Sequence, residues 1–184
     1  MKRCTREACL YTADGLHGRR RPFAALLMLL AVIALVGCSS AGSDELAPQT
    51  GLPTQTVEIA GQVFELELAL DDASRHRGLS DREYIAEDGG MLFVFPEPRR
   101  LTFVMRDCLV PIDLVYLDGL GRIVRTHAMQ VEPYGRADWL LTPYHSGEPA
   151  QFAVELRGGM IEELGLRRGQ RIELPVEELK ARAE

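Results

Sequence analysis

Four ionisable side chains stand where an apolar chain would not ordinarily put them. Arg106 and Asp107 interrupt the stretch from Gly89 to Asp118, GGMLFVFPEPRRLTFVMRDCLVPIDLVYLD, and Asp113 sits between Ile112 and Leu114. Arg77 closes a short helical pattern upstream. A carboxylate in such surroundings is expensive to bury unless an arginine or backbone donors meet it. One chemistry that fits is a polar cleft, with Arg106 or Arg77 taking an anionic group and Asp113 orienting it. The other is structural: an ion pair or turn cap that holds the crossover from Cys108 to Ile112.

Other reactive types are poorly placed. His76, His127 and His145 have no metal-ligand spacing, so no metal is expected. His127 falls on a strand, where a half-exposed packing role is the ordinary one. No nucleophile elbow is present, and Gly89-Gly90 and Gly158-Gly159 read as turns rather than phosphate loops. No cofactor is expected. Cys108, beside Leu109 and Val110, reads as a small buried residue rather than a nucleophile.

The elements that must position these residues are mostly short strands. Thr56–Ala60 and Gln62–Leu70 flank Ala60-Gly61, and Phe64, Leu66, Leu68 and Leu70 alternate with Glu65 and Glu67. Asp71 or Asp72 can cap a short helix that ends at Gly78. Met91–Phe95 is a strand, Pro96–Arg99 a turn, and Leu101–Met105 a strand that pairs back. Ile112–Leu117 and Arg122–Met129 follow. Glu132–Pro149 has no period and reads as a long loop, functional or locally mobile, holding Trp139. Gln151–Leu156 is a strand, a short helix runs to Leu164, Arg171–Leu174 is a last strand, and Val176–Arg182 a terminal helix. The expected fold is mainly β (β-rich α+β): a small antiparallel sandwich or partly closed barrel with two or three short helices. Phe64, Leu66, Leu92, Phe93, Phe95, Phe103, Leu114, Tyr116, Phe152, Val154 and Leu156 should share one core.

Several blocks in order carry a resemblance. Arg77-Gly78-Leu79, Gly90–Phe95, Phe103–Arg106, Pro111–Leu114, Val154-Glu155-Leu156 and Gly158-Gly159 resemble the family called domain of unknown function 192. The likeness runs from about Thr56 to Pro175. It implies a small β-rich domain, often secreted or lipid-anchored, and brings no reaction or ligand with it.

The N-terminus supplies an address. Arg19, Arg20 and Arg21 precede an apolar run of 14 residues, Phe23–Val36, and Leu35-Val36-Gly37-Cys38 follows. The run is shorter than the roughly 20 residues of a spanning helix and fits a lipoprotein signal peptide, 1–37, with Cys38 lipidated. Arg20-Arg21 leaves the general and twin-arginine export routes both open. Residues 38–54 read as a disordered tether and 55–184 as one domain. The removed part carries six Lys/Arg and two Asp/Glu, which leaves 15 and 25 and a net charge of −10. That balance argues against nucleic acid and against electrostatic docking on anionic lipid. The expected location is a bacterial cell envelope, on the periplasmic face of the outer membrane where one exists.

Two functions stay open. One is a non-catalytic binding or accessory module for a small molecule, peptide or glycan. The other is an envelope hydrolase or lyase using Asp107 or Asp113 as acid–base. The cleft should lie at one end of the sheet, lined by Arg77, Arg106, Asp107 and Asp113, with Trp139 or Tyr144 as a wall.

Overall fold

The structure is a computed structural model that describes residues 47–184. The signal-peptide reading, Cys38 and residues 38–46 of the expected tether lie outside them. The chain forms β1 (Thr54–Ile59), β2 (Gln62–Ala69), α1 (Asp72–Arg77), β3 (Gly89–Phe103), β4 (Ile112–Leu117) and β5 (Ile123–Met129). A 3-10 turn (Asp138–Leu140), β6 (Tyr144–Arg157), α2 (Met160–Glu163) and α3 (Val176–Arg182) complete it. The domain is mainly β with three short α-helices. Its strands make one open sheet in the order β1-β2-β3-β6-β4-β5, and this sheet does not close into a barrel.

Two features of that order depart from a simple antiparallel meander. β2 and β3 run parallel, Glu65 opposite Gly89 and Ala69 opposite Phe93, because α1 and the following loop return the chain to the same end. β6 then inserts between β3 and β4 and pairs antiparallel with both. Only β1–β2 and β4–β5 are sequential antiparallel pairs.

The expected turn at Pro96–Arg99 is a bulge. β3 continues through it, and the register with β6 jumps from Val94↔Phe152 to Arg99↔Ala150. Pro96 and Pro98 lack an N–H and so fall where the ladder is already broken. Gln151 repairs part of the loss: its side-chain amide donates to the carbonyls of Phe95 at 3.2 Å and Pro96 at 2.9 Å. The loop expected over Glu132–Pro149 is also shorter, since β6 begins at Tyr144. Arg171 makes only a single bridge to Arg122 rather than a full strand.

Both faces of the sheet are covered, so the expected single core is two. Phe64, Leu66, Leu92, Phe152, Val154 and Leu156 face α2 and α3, with Met160 and Leu179 packed on them. Phe93, Phe95, Leu114 and Tyr116 face the other way, under Leu79, Ile85, Met105 and Cys108. Phe103 is half-buried at the edge of this second cluster. Central strands buried on both sides explain why Met91–Phe95 of β3 and, Asp113 apart, β4 read as apolar runs. Residues 47–53 are docked on the domain: Gln49 donates its side-chain amide to the carbonyls of Ser74 at 3.0 Å and Gly78 at 2.8 Å.

Candidate functional site

On the second face a cleft of about 350 Å³ opens between α1, the bulge of β3 and the crossover after β3. Leu79, Phe93, Phe95, Phe103, Cys108 and Glu155 line its inner part, and Arg75, His76, Arg77, Arg99 and Arg106 its mouth. Asp72, Ser80 and Thr102 also line it, so the cleft joins aromatic walls to a strongly polar rim.

α1 supplies three of the mouth residues. It is short, so its position rests on its caps. Asp71 accepts from the Ser74 N–H at 2.8 Å while the Ser74 hydroxyl reaches back to the Asp71 backbone N–H, a reciprocal capping box. This hydrogen bond holds the Asp71 carboxyl below its usual range. Gly78 ends the helix in the left-handed region, and a Cβ there would touch the Phe93 ring at 3.5 Å. Arg75 is nearly enclosed: it donates to the carbonyls of Leu70 and Val94 at 2.7 and 2.8 Å and lies 5.2 Å over the Phe95 ring. Its role is to tie α1 to the sheet.

The crossover after β3 is a junction. The Arg106 carbonyl accepts the Ser80 hydroxyl at 2.7 Å and the Cys108 thiol at 3.4 Å. Asp107, at φ 49°, accepts the Asp81 N–H on its carbonyl and the Gly135 N–H on its carboxylate, at 2.8 and 2.7 Å. The Arg106 guanidinium donates to both carboxylate oxygens of Asp138, at 2.7 and 2.5 Å, and to the His76 carbonyl at 3.0 Å. The hydrogen-bonded pair raises the Arg106 guanidinium and lowers the Asp138 carboxyl from their ordinary values. The loop between β5 and β6 is thereby tied over this end of the sheet.

The structure brings together only some of the expected residues. Arg77 and Arg106 line the cleft, Arg77 paired with Asp81 at 2.8 Å and with the Ala47 carbonyl. Asp107 holds the loop and does not line the cleft. Asp113 points to the opposite face of the sheet, 2% exposed, where it accepts the Ile161 N–H of α2 at 2.6 Å. It is a helix anchor, which is why a carboxylate persists in that apolar strand. Trp139 is 85% exposed and forms no wall. Tyr144 belongs to an aromatic series instead: Phe93, Phe103, Tyr116, His127 and Tyr144 meet edge to face at 4.9–6.0 Å. His127 is thus a packing residue, and its Nε2 lies 2.9 Å from the His145 carbonyl oxygen. Cys108 is buried and its thiol is pushed far up by desolvation, so it is no nucleophile. Among the described residues no three His, Cys, Asp or Glu converge as metal ligands do.

Two residues that sequence reasoning did not single out complete the cleft. Arg99 leaves the bulge and lies 4.8 Å over the Phe95 ring. Its guanidinium makes no hydrogen bond or ion pair among the described residues. Glu155 lies on the central strand β6, opposite Met91 and Leu114, and is 5% exposed. Desolvation pushes its carboxyl up to about 8, only partly offset by Arg82. The available signal was that Glu155 is the only charge in Gln151–Leu156, a strand apolar on both faces. Gly90 beside it has no room for a side chain, because a Cβ would strike the Glu155 carbonyl oxygen.

These features define an open mixed-sheet domain carrying a small cleft with aromatic walls and arginines at its mouth. The chain belongs to the DUF192 family, described as an uncharacterised ACR, whose profile matches residues 55–174. Two solved structures are similar. One, from Sinorhizobium meliloti 1021 and described as a "putative transcription regulator", is 28% identical with a TM-score of 0.58 over 68% of this chain and 96% of that one. The other, a protein of unknown function from Novosphingobium aromaticivorans DSM 12444, is 28% identical with a TM-score of 0.60 over 70% of this chain and 91% of that one. No curated protein matches the chain significantly.

Proposed function

We propose that this is an exported, lipid-anchored binding module whose cleft takes a small organic anion with an apolar body. Arg99 carries the reading: a guanidinium stacked on Phe95 at 4.8 Å at the mouth of the cleft, near enough to Asp72 to feel its charge but with no hydrogen bond or ion pair among the described residues. Arg75, Arg77 and Arg106 are each held by an acidic partner, so they shape the mouth while Arg99 keeps its donors for a ligand. The cleft volume, near the low end for ligand sites, suits a single ring better than a peptide or glycan chain.

The hydrolase or lyase reading loses its support. Asp113 lies on the far face and Asp107 is committed to Gly135, so neither carboxylate on which that reading rests lines the cleft. The description of the Sinorhizobium protein as a regulator belongs to that protein. The acidic balance of this chain speaks against nucleic acid as its ligand. Anchoring through Cys38 rests on the signal-like N-terminus.

The test is amide-shift mapping of residues 47–184 by NMR, with benzoate as probe and benzamide as its uncharged counterpart. Shifts centred on Phe95, Arg99 and Phe103 with benzoate, and much smaller ones with benzamide, support the reading. Equal shifts with both probes, or none in the cleft, reject it.

A further inference from the structure

Resting on that reading, we infer that Glu155 is the specificity residue at the inner end of the cleft, where it exchanges hydrogen bonds with a hydroxyl on the ligand's apolar body. The ligand class is then a small hydroxylated ring acid: carboxylate at Arg99, ring among the phenylalanines, hydroxyl at Glu155.

The first support is topological. β6 is bordered by β3 and β4, and Glu155 faces the same side as Phe93 and Tyr116, with Met91 and Leu114 as its cross-strand neighbours. A leucine there would pack without any polar cost. The carboxyl nonetheless lines the cleft while remaining almost wholly enclosed.

The second is its lack of a partner. No hydrogen bond or ion pair to the Glu155 carboxyl exists among the described residues. The polar groups that feel its charge are already engaged. Tyr116 donates its hydroxyl to the Tyr144 carbonyl at 2.7 Å, and the Cys108 thiol donates to the Arg106 carbonyl. Arg82 is paired with Glu67 at 2.5 Å. Unlike the sealed, unmet Nε atoms of Arg75, Arg82 and Arg157, the Glu155 carboxyl still reaches the cleft, and a largely desolvated polar group without a protein partner there is open to something that enters. Holding its proton, the carboxyl offers one donor and one acceptor, which is the complement of a hydroxyl. It matches a second anion poorly.

The experiment compares 4-hydroxybenzoate with benzoate by calorimetry on the wild type, Glu155→Gln and Glu155→Leu, and follows the Glu155 carboxyl carbon by NMR in labelled wild type. The expected result is a preference for 4-hydroxybenzoate of about tenfold, the worth of one good buried hydrogen bond. The preference falls to near unity in Glu155→Leu and survives in part in Glu155→Gln, which keeps a donor and an acceptor. The carboxyl resonance should move with 4-hydroxybenzoate and stay still with benzoate. Benzoate binding with no preference, or a preference unchanged in Glu155→Leu, overturns the role of Glu155 and leaves the anion reading standing. Should Glu155→Leu fail to fold, an unmoved carboxyl resonance in the wild type overturns it equally. Absence of binding by both probes removes the anion reading and this inference with it.

Discussion

Arg106 grips Asp138 through two parallel hydrogen bonds, Nε to Oδ1 at 2.7 Å and Nη2 to Oδ2 at 2.5 Å, across 32 residues of chain. This bidentate pair joins the crossover after β3 to the 3-10 turn of the β5–β6 loop, and His76 of α1 accepts from the same guanidinium. Three elements around the cleft therefore meet on one side chain. Asp138 is half exposed, so water screens the pair. Arg106→Ala should cost about 1 kcal/mol or less of global stability. It should speed amide exchange locally in residues 133–143. Exchange in that loop that matches the wild type would contradict the clasp.

The carboxyl of Glu155 makes stability depend on pH in a sense opposite to an ordinary salt-bridged acid. In the folded domain it keeps its proton to about 8, whereas an unhindered glutamate releases near 4.5. Between those limits the native state binds more protons than the unfolded chain. Stability therefore falls as pH rises from about 4.5 and levels off above about 8. The loss should be on the order of a few kcal/mol. Asp71 and Asp138, both held below 3.8, contribute stability that is lost only at lower pH, so the windows do not overlap. Urea unfolding at pH 5 and pH 8.5 should show the fall in the wild type and a nearly flat response in Glu155→Gln. Parallel behaviour of the two proteins would refute it.

Asp113 offers a control on the opposite face. Asp113→Ala removes the acceptor for the Ile161 N–H and leaves a buried donor unmet, at a cost of about 1–3 kcal/mol. Benzoate binding to the folded fraction should be unchanged. A weakened affinity would mean that Asp113 shapes the cleft after all.

Phe93 is 1% exposed and belongs both to the core and to the cleft wall. Phe93→Ala should lower stability by about 3–5 kcal/mol, as loss of a packed aromatic ring does. A melting curve like that of the wild type would refute the packing described for β3.

The expectation for the N-terminus is tested independently. Cys38→Ala should abolish incorporation of radiolabelled fatty acid and retain the uncleaved chain. Label in the mutant would end the lipoprotein reading.

How much of this was legible in the sequence follows from what local pattern can carry. The alternation of Phe64, Leu66 and Leu68 against Glu65 and Glu67 placed β2 and its buried face correctly, because one side of that strand is more exposed. The mainly β character and short helices were legible for the same reason. Insertion of β6 between β3 and β4 was not, since no local signal reports which distant strand pairs with which. Pro96 and Pro98 read as a turn because proline forbids a ladder bond; a bulge satisfies that constraint just as well. Arg77 and Arg106 stand out in the sequence because charges beside apolar runs are conspicuous, and both line the cleft. Asp113 was conspicuous in the same way, but its partner is a backbone N–H on the far face, which spacing cannot reveal. Glu155 drew no attention as a site residue, because a single acid in a short strand has an unremarkable place on a solvent face, and only the covering of both faces of β6 makes it unusual.

The most direct test of the central claim is calorimetric titration of benzoate and benzamide into the wild type and Arg99→Gln. If Arg99 supplies the charge contact, benzoate should bind the wild type and weaken about tenfold or more in the variant, the scale of a lost charge-assisted hydrogen bond. Benzamide should bind both proteins equally weakly. Benzoate affinity that is the same with and without the Arg99 guanidinium would contradict the account.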